Sequence, residues 1–336
     1  MATARKFGPA DVAQSLQRRA KARAATPAAR IWLALGTVYL LWGSTYLGIK
    51  FAIDTIPPLL MGSLRFLVAG GVLYALAARS GSGGRERDRD RLGASQWGAA
   101  LLIGAALLLG GNGGVILAEQ YAPTGVVALL VATAPLWMAI IDRVAFGRRL
   151  PPLVIGGLVV GFGGVAFLIG SPGSGQVRLI GAALALAAPI CWASGSVFTR
   201  HVKLPLRPLM AAAMEMLWAG VLFGIASLLT GELGRLHIQS ISTTSLVALL
   251  YLIVFGSLVG FSAYVWLLRS APLSLVSTYA YVNPVVAVIL GAAFLGEAVS
   301  ARTLIAGGII LAAVALIVVA RNRAAASQAV PREVRA

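Results

Sequence analysis

Leu41-Trp42-Gly43-Ser44-Thr45-Tyr46 is echoed by Cys191-Trp192-Ala193-Ser194-Gly195-Ser196, with Trp and Ser in the same register 150 positions later. The echo continues along the chain. Pro58, Ala69 and Gly70 recur as Pro208, Ala219 and Gly220 at that spacing, and Ala122, Pro123 and Pro135 recur as Ala271, Pro272 and Pro284 at a spacing of 149. Register held for so long marks two copies of one unit. In an apolar chain this duplication is the pattern of carriers built from two structural repeats, with the binding site where the repeats meet near the bilayer midplane.

The solvent around this chain is expected to be lipid. Of its 336 residues 59% are hydrophobic and 12% charged, with a mean hydropathy of +0.87, too little polar surface for a soluble domain of this size. Apolar runs long enough to cross about 30 Å of hydrocarbon are expected at 31–53, 58–78, 95–117, 123–141, 152–170, 179–199, 208–230, 244–268, 272–295 and 303–320. Backbone polar groups in hydrocarbon must be satisfied within helices or a closed barrel, and these runs lack the alternation of barrel strands. The expected fold is therefore an all-α integral membrane protein of ten transmembrane helices.

A net charge of +17 would suggest nucleic acid if the basic residues formed one surface. Instead they alternate between loops. With the N-terminus in the cytoplasm, only Lys50, Arg178, Arg235 and Arg302 lie outside, Arg65 falls within a helix, and the other 23 of the 28 Lys and Arg lie inside. That is the positive-inside pattern, and it places both termini in the cytoplasm. Five helices per copy is an odd number, so the second copy enters from the opposite side and the expected arrangement is two inverted five-helix repeats. The chain divides into a basic tail (1–30), a first repeat (31–170), a linker (171–178), a second repeat (179–320) and a cytoplasmic C-terminal tail (321–336).

The first thirty residues, rich in Ala and Arg, suit either an amphipathic helix on an anionic leaflet or a disordered tail. Residues 80–91 suit a solvated cytoplasmic linker. Cys191, the lone cysteine, cannot close an internal disulfide, and His201 and His237 sit in opposite loops, so no metal site is expected. Gly161-Phe162-Gly163-Gly164-Val165-Ala166 matches a loose dinucleotide fingerprint, but it lies inside a lipid-length run without the required downstream acid. No cofactor is expected. Gly157/Gly161, Gly220/Gly224 and Gly256/Gly260 are spaced for close helix packing.

Polar groups at lipid depth need a partner or a wet cavity, so they nominate the site. The cavity candidates are Trp42, Ser44 and Tyr46 in helix one, Asn112 in helix three, Thr133 in helix four, Trp192 and Ser194 in helix six, Tyr264 in helix eight, and Tyr281 and Asn283 in helix nine. Trp42 and Trp192 serve equally well as packing of the repeat interface. The glycine run 110–114 suits either a bend toward a cavity or close packing. Pro135 and Pro284 each free a carbonyl four residues back, at Val131 and Ala280. Arg65 and Glu215 hold equivalent positions, about seven residues into their helices but counted from opposite faces. They should differ by about 10 Å in depth, so each needs its own partner. Arg65 is taken as a gating or structural residue ahead of direct substrate binding, and a proton relay is the functional option for Glu215. Glu119 is expected at the interface. With no acid at the midplane, the site suits neutral or zwitterionic, partly apolar solutes.

Over residues 31–320 the chain resembles the EamA-type family of the drug/metabolite transporter superfamily. The resemblance rests on Trp42-Gly43-Ser44, Arg65-Phe66, Ala122-Pro123 with Pro135, Ala271-Pro272, Asn283-Pro284 and Gly296-Glu297, in that order. Ala118-Glu119-Gln120 and the stretch Ala132 to Trp137 look like its bacterial exporter branch. It implies alternating access, export of small metabolites or drugs across a bacterial inner membrane, and a cavity lined mainly by helices one, three, four, six, eight and nine. One departure is Gly147-Arg148-Arg149, where the family usually shows Gly-Glu-Arg. The implied partners are a small-molecule substrate and the lipid bilayer, with a homodimer left open. A channel or structural membrane protein is the alternative. An integral-membrane enzyme is less favoured, because no nucleophile, metal set or acid pair is in evidence.

Overall fold

The computed structural model describes residues 28–79, 92–169 and 178–329. The basic N-terminal tail up to residue 27, the loop of residues 80–91 and the linker of residues 170–177 lie outside the described residues, as do residues 330–336. The described chain is built of helices: α1 (Ala28–Ala52), α2 (Pro58–Arg79), α3 (Ala94–Ala118), α4 (Thr124–Phe146), α5 (Pro152–Ile169), α6 (Leu179–Phe198), α7 (Pro208–Leu229), α8 (Thr243–Ser270), α9 (Tyr279–Leu295, preceded by the single turn Leu273–Val276) and α10 (Ala301–Ala329). Nine of these are long and apolar enough to cross a membrane, and α9 is a shorter apolar helix.

Several boundaries differ from the sequence reading for local reasons. α4 runs on to Phe146, where Gly147 takes the left-handed conformation (φ 64°) that ends helices. It is interrupted at Ala132–Thr133, so Pro135 sits in the first turn of the second segment, where a missing N–H costs nothing. Pro284 instead stays inside continuous helix, and the interruption in this region falls at Ser277–Thr278. α3 and α8, which hold the same place in the two copies, each widen into a π-helical stretch, at Ala105–Asn112 and Leu252–Val259. Such widened turns often mark functional positions.

Equivalent helices of the two copies pack on each other in antiparallel fashion. Gly62 lies against Phe223, Leu67 against Gly220, and Gly70 against Leu217 and Met216, so numbers rise along α2 as they fall along α7. Ser63 Oγ donates to Gly220 O (2.8 Å), and Phe66 stacks on Phe223 with centroids 5.7 Å apart. α5 and α10 repeat the scheme, with Gly157 against Ile317 and Gly164 against Ile309. Lipid offers little hydrophobic drive for helix association, so contact depends on this close approach.

Helix ends are capped across the fold. Glu232 accepts hydrogen bonds from Leu59 N (3.1 Å) and Leu60 N (2.9 Å) at the start of α2, and Arg207 donates to Ala77 O (3.0 Å) near its end. Both charges complement the helix dipole. Glu297 does the same for α4, accepting from Thr124 N (2.7 Å) and Gly125 N (3.2 Å).

A Cβ added at Gly220 would lie 2.7 Å from the Leu67 backbone nitrogen, whereas one added at Gly163 would meet nothing within 4 Å. Gly220→Ala should therefore destabilise by about 1–3 kcal/mol through overpacking, and Gly163→Ala should be neutral or slightly stabilising. Thermal unfolding in detergent measures both, and equal midpoints would contradict the close-contact role.

Candidate functional site

A cavity of about 160 Å³ lies among α1, α2, α3, α4, α6, α8 and α9. Both copies thus contribute to it. α2, which the family resemblance leaves out of the lining, enters through Arg65 and Phe66. Trp42, Tyr46, Asn112, Trp192 and Asn283 line it, as do Pro135, Pro284 and the two positions singled out for freed carbonyls, Val131 and Ala280.

Trp42 is held by its neighbours. Its Nε1 donates to Gly256 O (3.2 Å), inside the widened stretch of α8, and its ring meets those of Tyr264, Tyr279 and Phe261 at 5.0, 5.3 and 5.7 Å. The glycines make room: a Cβ at Gly260 would sit 2.6 Å from Trp42 Nε1, and one at Gly43 would sit 2.6 Å from Val286. Trp192 lies over the glycine run of α3, where a Cβ at Gly111 would come within 3.1 Å of its ring. That run packs closely against α6 at Gly110 and Gly114, and also lines the cavity through Gly111 and Asn112. Asn283 is nearly buried, and with its amide nitrogen turned toward α1 it donates to Tyr39 O (3.3 Å) and Tyr279 O (3.2 Å). The Tyr39 hydroxyl also bonds Thr278 Oγ1, pinning the interruption before α9 to α1.

Other nominated residues lie off the lining. Ser44 donates to Leu40 O (2.6 Å) and bonds the Tyr251 hydroxyl (2.5 Å). Ser194 turns back on Ile190 O (2.8 Å), and buried Thr133 donates to Leu130 O (2.6 Å) at the interruption of α4. Tyr264 stands behind Trp42, and Tyr281 is half-buried and packs against the main apolar core. Glu215 is buried where α7 crosses Gly104 of α3.

Arg65 occupies the cavity wall. Its Nε donates to Ser257 Oγ (3.1 Å), its guanidinium lies 4.9 Å from the Phe66 ring centroid, and its NH1 has no partner. No ion pair joins it to Glu215. The α2–α7 register sets the two about six residues apart along the helices, about 9 Å. Sequence reasoning did not place Phe66, Met138, Gly256 or Phe261 in the cavity, though all four line it. Apolar and glycine positions in a membrane helix carry no compositional mark of a cavity. Only the Arg65-Phe66 pair gave a signal, through the family motif.

Next along the chain from the lining residues Ile49 and Val115 lies a cluster of charged groups. Lys50 Nζ donates to the Glu119 carbonyl, Thr124 Oγ1 donates to Glu119 Oε2 (2.9 Å), and Glu297 holds the neighbouring amides. Glu119 is fully buried in the short connection between α3 and α4, and its Oε1 has no partner. Burial pushes its carboxyl from 4.5 up to about 8, against the opposing pull of the Thr124 bond and Lys50, with Glu297 adding to the rise.

A model of the EamA-like transporter family matches residues 30–170 and again residues 179–319. The chain is 40% identical over 285 residues, covering 84% of this chain and 89% of the other, to a protein of Escherichia coli described as the uncharacterized inner membrane transporter YedA. It is 28% identical over 263 residues, covering 71% and 80%, to an Escherichia coli protein described as a probable amino-acid metabolite efflux pump. A crystal structure at 21% identity aligns with a TM-score of 0.56 over 86% of this chain and 98% of that one, a likeness of fold alone.

The raised pKa of Glu119 has a sign that can be checked. Between about pH 4.5 and 8 the folded protein keeps a proton that the unfolded chain has released, so stability is highest below 4.5 and falls as pH rises toward 8. Unfolding midpoints in detergent should drop across this window, and Glu119→Gln should flatten the drop. An unchanged slope in the variant would remove Glu119 as its source.

Proposed function

The chain belongs to the EamA-like transporter family, and from that premise we propose that it is a secondary transporter exporting small organic metabolites by alternating access. The observation that carries this reading is the cavity itself, enclosed by helices of both copies and lined by Trp42 from one and Trp192 from the other. A site between two repeats suits a carrier that opens alternately to either side. The amino-acid metabolite efflux named for one Escherichia coli relative supports small metabolites as cargo. So does the size of the cavity, which lies below the ~300–1,000 Å³ of drug-sized sites.

In this reading α9, with the turn before it, is the tenth span, and the two copies are inverted. The antiparallel packing of α2 on α7 and of α5 on α10 supports inversion, because equivalent helices of copies pointing the same way would run parallel. The face that carries Arg79, Arg148, Lys203 and Arg207 is cytoplasmic, by the positive-inside rule, and the face of Glu119 is external. The membrane is a bacterial inner membrane, as named for the YedA relative. The cluster of Lys50, Glu119 and Glu297 then lies toward the external face.

A cysteine placed at Gln239 should react with an impermeant reagent in intact cells, and one at Lys203 only after permeabilisation. The reverse would overturn the orientation. For transport, purified protein in liposomes should sustain counterflow of its solutes without single-channel currents. In a substrate-panel export assay, Trp42→Phe and Asn112→Ala at matched membrane abundance should change the ranking of solutes. Unchanged export of every active solute in both variants would remove these residues from the site.

A further inference from the structure

Building on the transporter reading, we propose that the cavity is a monocarboxylate site, in which Arg65 holds the acid group of a small substrate while Trp42, Trp192, Phe66 and Phe261 enclose its apolar part. Charge bookkeeping in the wall leads there. Among the residues that line the cavity Arg65 is the one ionised group, and neither Asp, Glu, Lys nor His is among them. A guanidinium stays protonated in proteins, so the cavity carries a fixed positive charge, unlike the uncharged site expected for neutral solutes from the sequence.

That charge is buried, with Arg65 4% exposed, and it is incompletely served. Ser257 takes Nε and the Phe66 ring lies beside the group, but NH1 has neither a hydrogen-bond partner nor an acid. A buried charge without a counter-ion is costly, and an anionic ligand would supply the missing partner. The bond to Ser257 also fixes the plane of the fork, which matches a planar carboxylate through paired N–H donors. Gly256 leaves space for the group, since a Cβ there would stand 3.3 Å from Arg65 NH2.

The rest of the wall narrows the class. One cation without a second beside it suits a monoanion better than a phosphate dianion or a dicarboxylate, and it repels purely cationic solutes. Aromatic rings on both sides accept a flat or branched apolar skeleton. An α-amino group finds no acid in the lining, so it is tolerated rather than required. Amino acids and amine-free organic acids share the recognised chemistry.

Tryptophan fluorescence of the full-length protein in detergent tests this directly. The probes are phenylacetate, 3-methylbutanoate, phenylalanine and leucine, set against the primary amides of the two amine-free acids and 2-phenylethylamine. The acids should bind at least about tenfold more tightly than the amides or the amine. Amine-free acids binding as well as amino acids would identify the carboxylate as sufficient, whereas binding by none of the acids in the millimolar range would overturn the proposal. Arg65→Gln should erase the acid preference, Arg65→Lys should retain part of it, and Ser257→Ala should weaken acids several-fold in protein that remains folded. Amides that bind as tightly as acids, or a preference that survives Arg65→Gln, would sink the site. Should Arg65→Gln not fold, the wild-type comparison and Arg65→Lys still decide. Counterflow keeps the two readings separate: counterflow of neutral solutes without acid preference defeats the carboxylate site but not transport, and acids that bind without counterflow do the reverse.

Discussion

Contact between α2 and α7 is the constraint on which the rest of the structure depends. In lipid, two helices gain little by burying apolar surface against each other, and their association comes from backbone approach and from the few hydrogen bonds that approach allows. Gly62, Gly70, Gly220 and Gly224 permit it, and Ser63 fastens it to the Gly220 carbonyl. The same contact stations Arg65 on one side of the seam, where α8 meets it through Gly256 and Ser257. Larger residues at these glycines would separate the helices and move the cavity wall with them.

The two copies are not chemically equal. Glu297 caps the start of α4 across the repeat boundary, while the residue 149 positions earlier is Arg148, which offers no acceptor and bears the wrong sign for a helix N-terminus. The helix that Arg148 would have capped begins as a single turn, Leu273–Val276, interrupted before α9, whereas the capped segment Thr124–Val131 runs for two turns. The acid missing from the first copy thus coincides with a shorter first segment in the helix it would have capped.

Much of this architecture was legible in the residues. Span lengths, duplication and the glycine pairs follow from composition and spacing, because lipid imposes length and close packing imposes small side chains. The cavity was legible at Trp42, Tyr46, Asn112, Trp192 and Asn283. Ser44 and Ser194 were nominated for polarity alone, yet a hydroxyl in a helix can bond its own preceding turn, as Ser44 does to Leu40 and Ser194 to Ile190. The widened turns of α3 and α8 leave no trace in hydropathy, since a change from four- to five-residue hydrogen bonding alters no composition. Glu232 was equally hidden, because its partners at Leu59 and Leu60 are more than 170 residues away. Arg65 was visible as a buried charge, but depth along one helix could not reveal that α8 and α9 open a cavity beside it.

The fixed charge at Arg65 also bears on what could drive outward movement. A bacterial membrane held negative inside favours the exit of an anion by about 2.3 kcal/mol per charge per 100 mV. A monoanion matched to Arg65 would leave down that voltage, and a zwitterion in the same seat would feel none of it. The absence of an acidic residue from the cavity wall is then no handicap. Membrane potential alone could give such a carrier its direction, with no titrating group in the path.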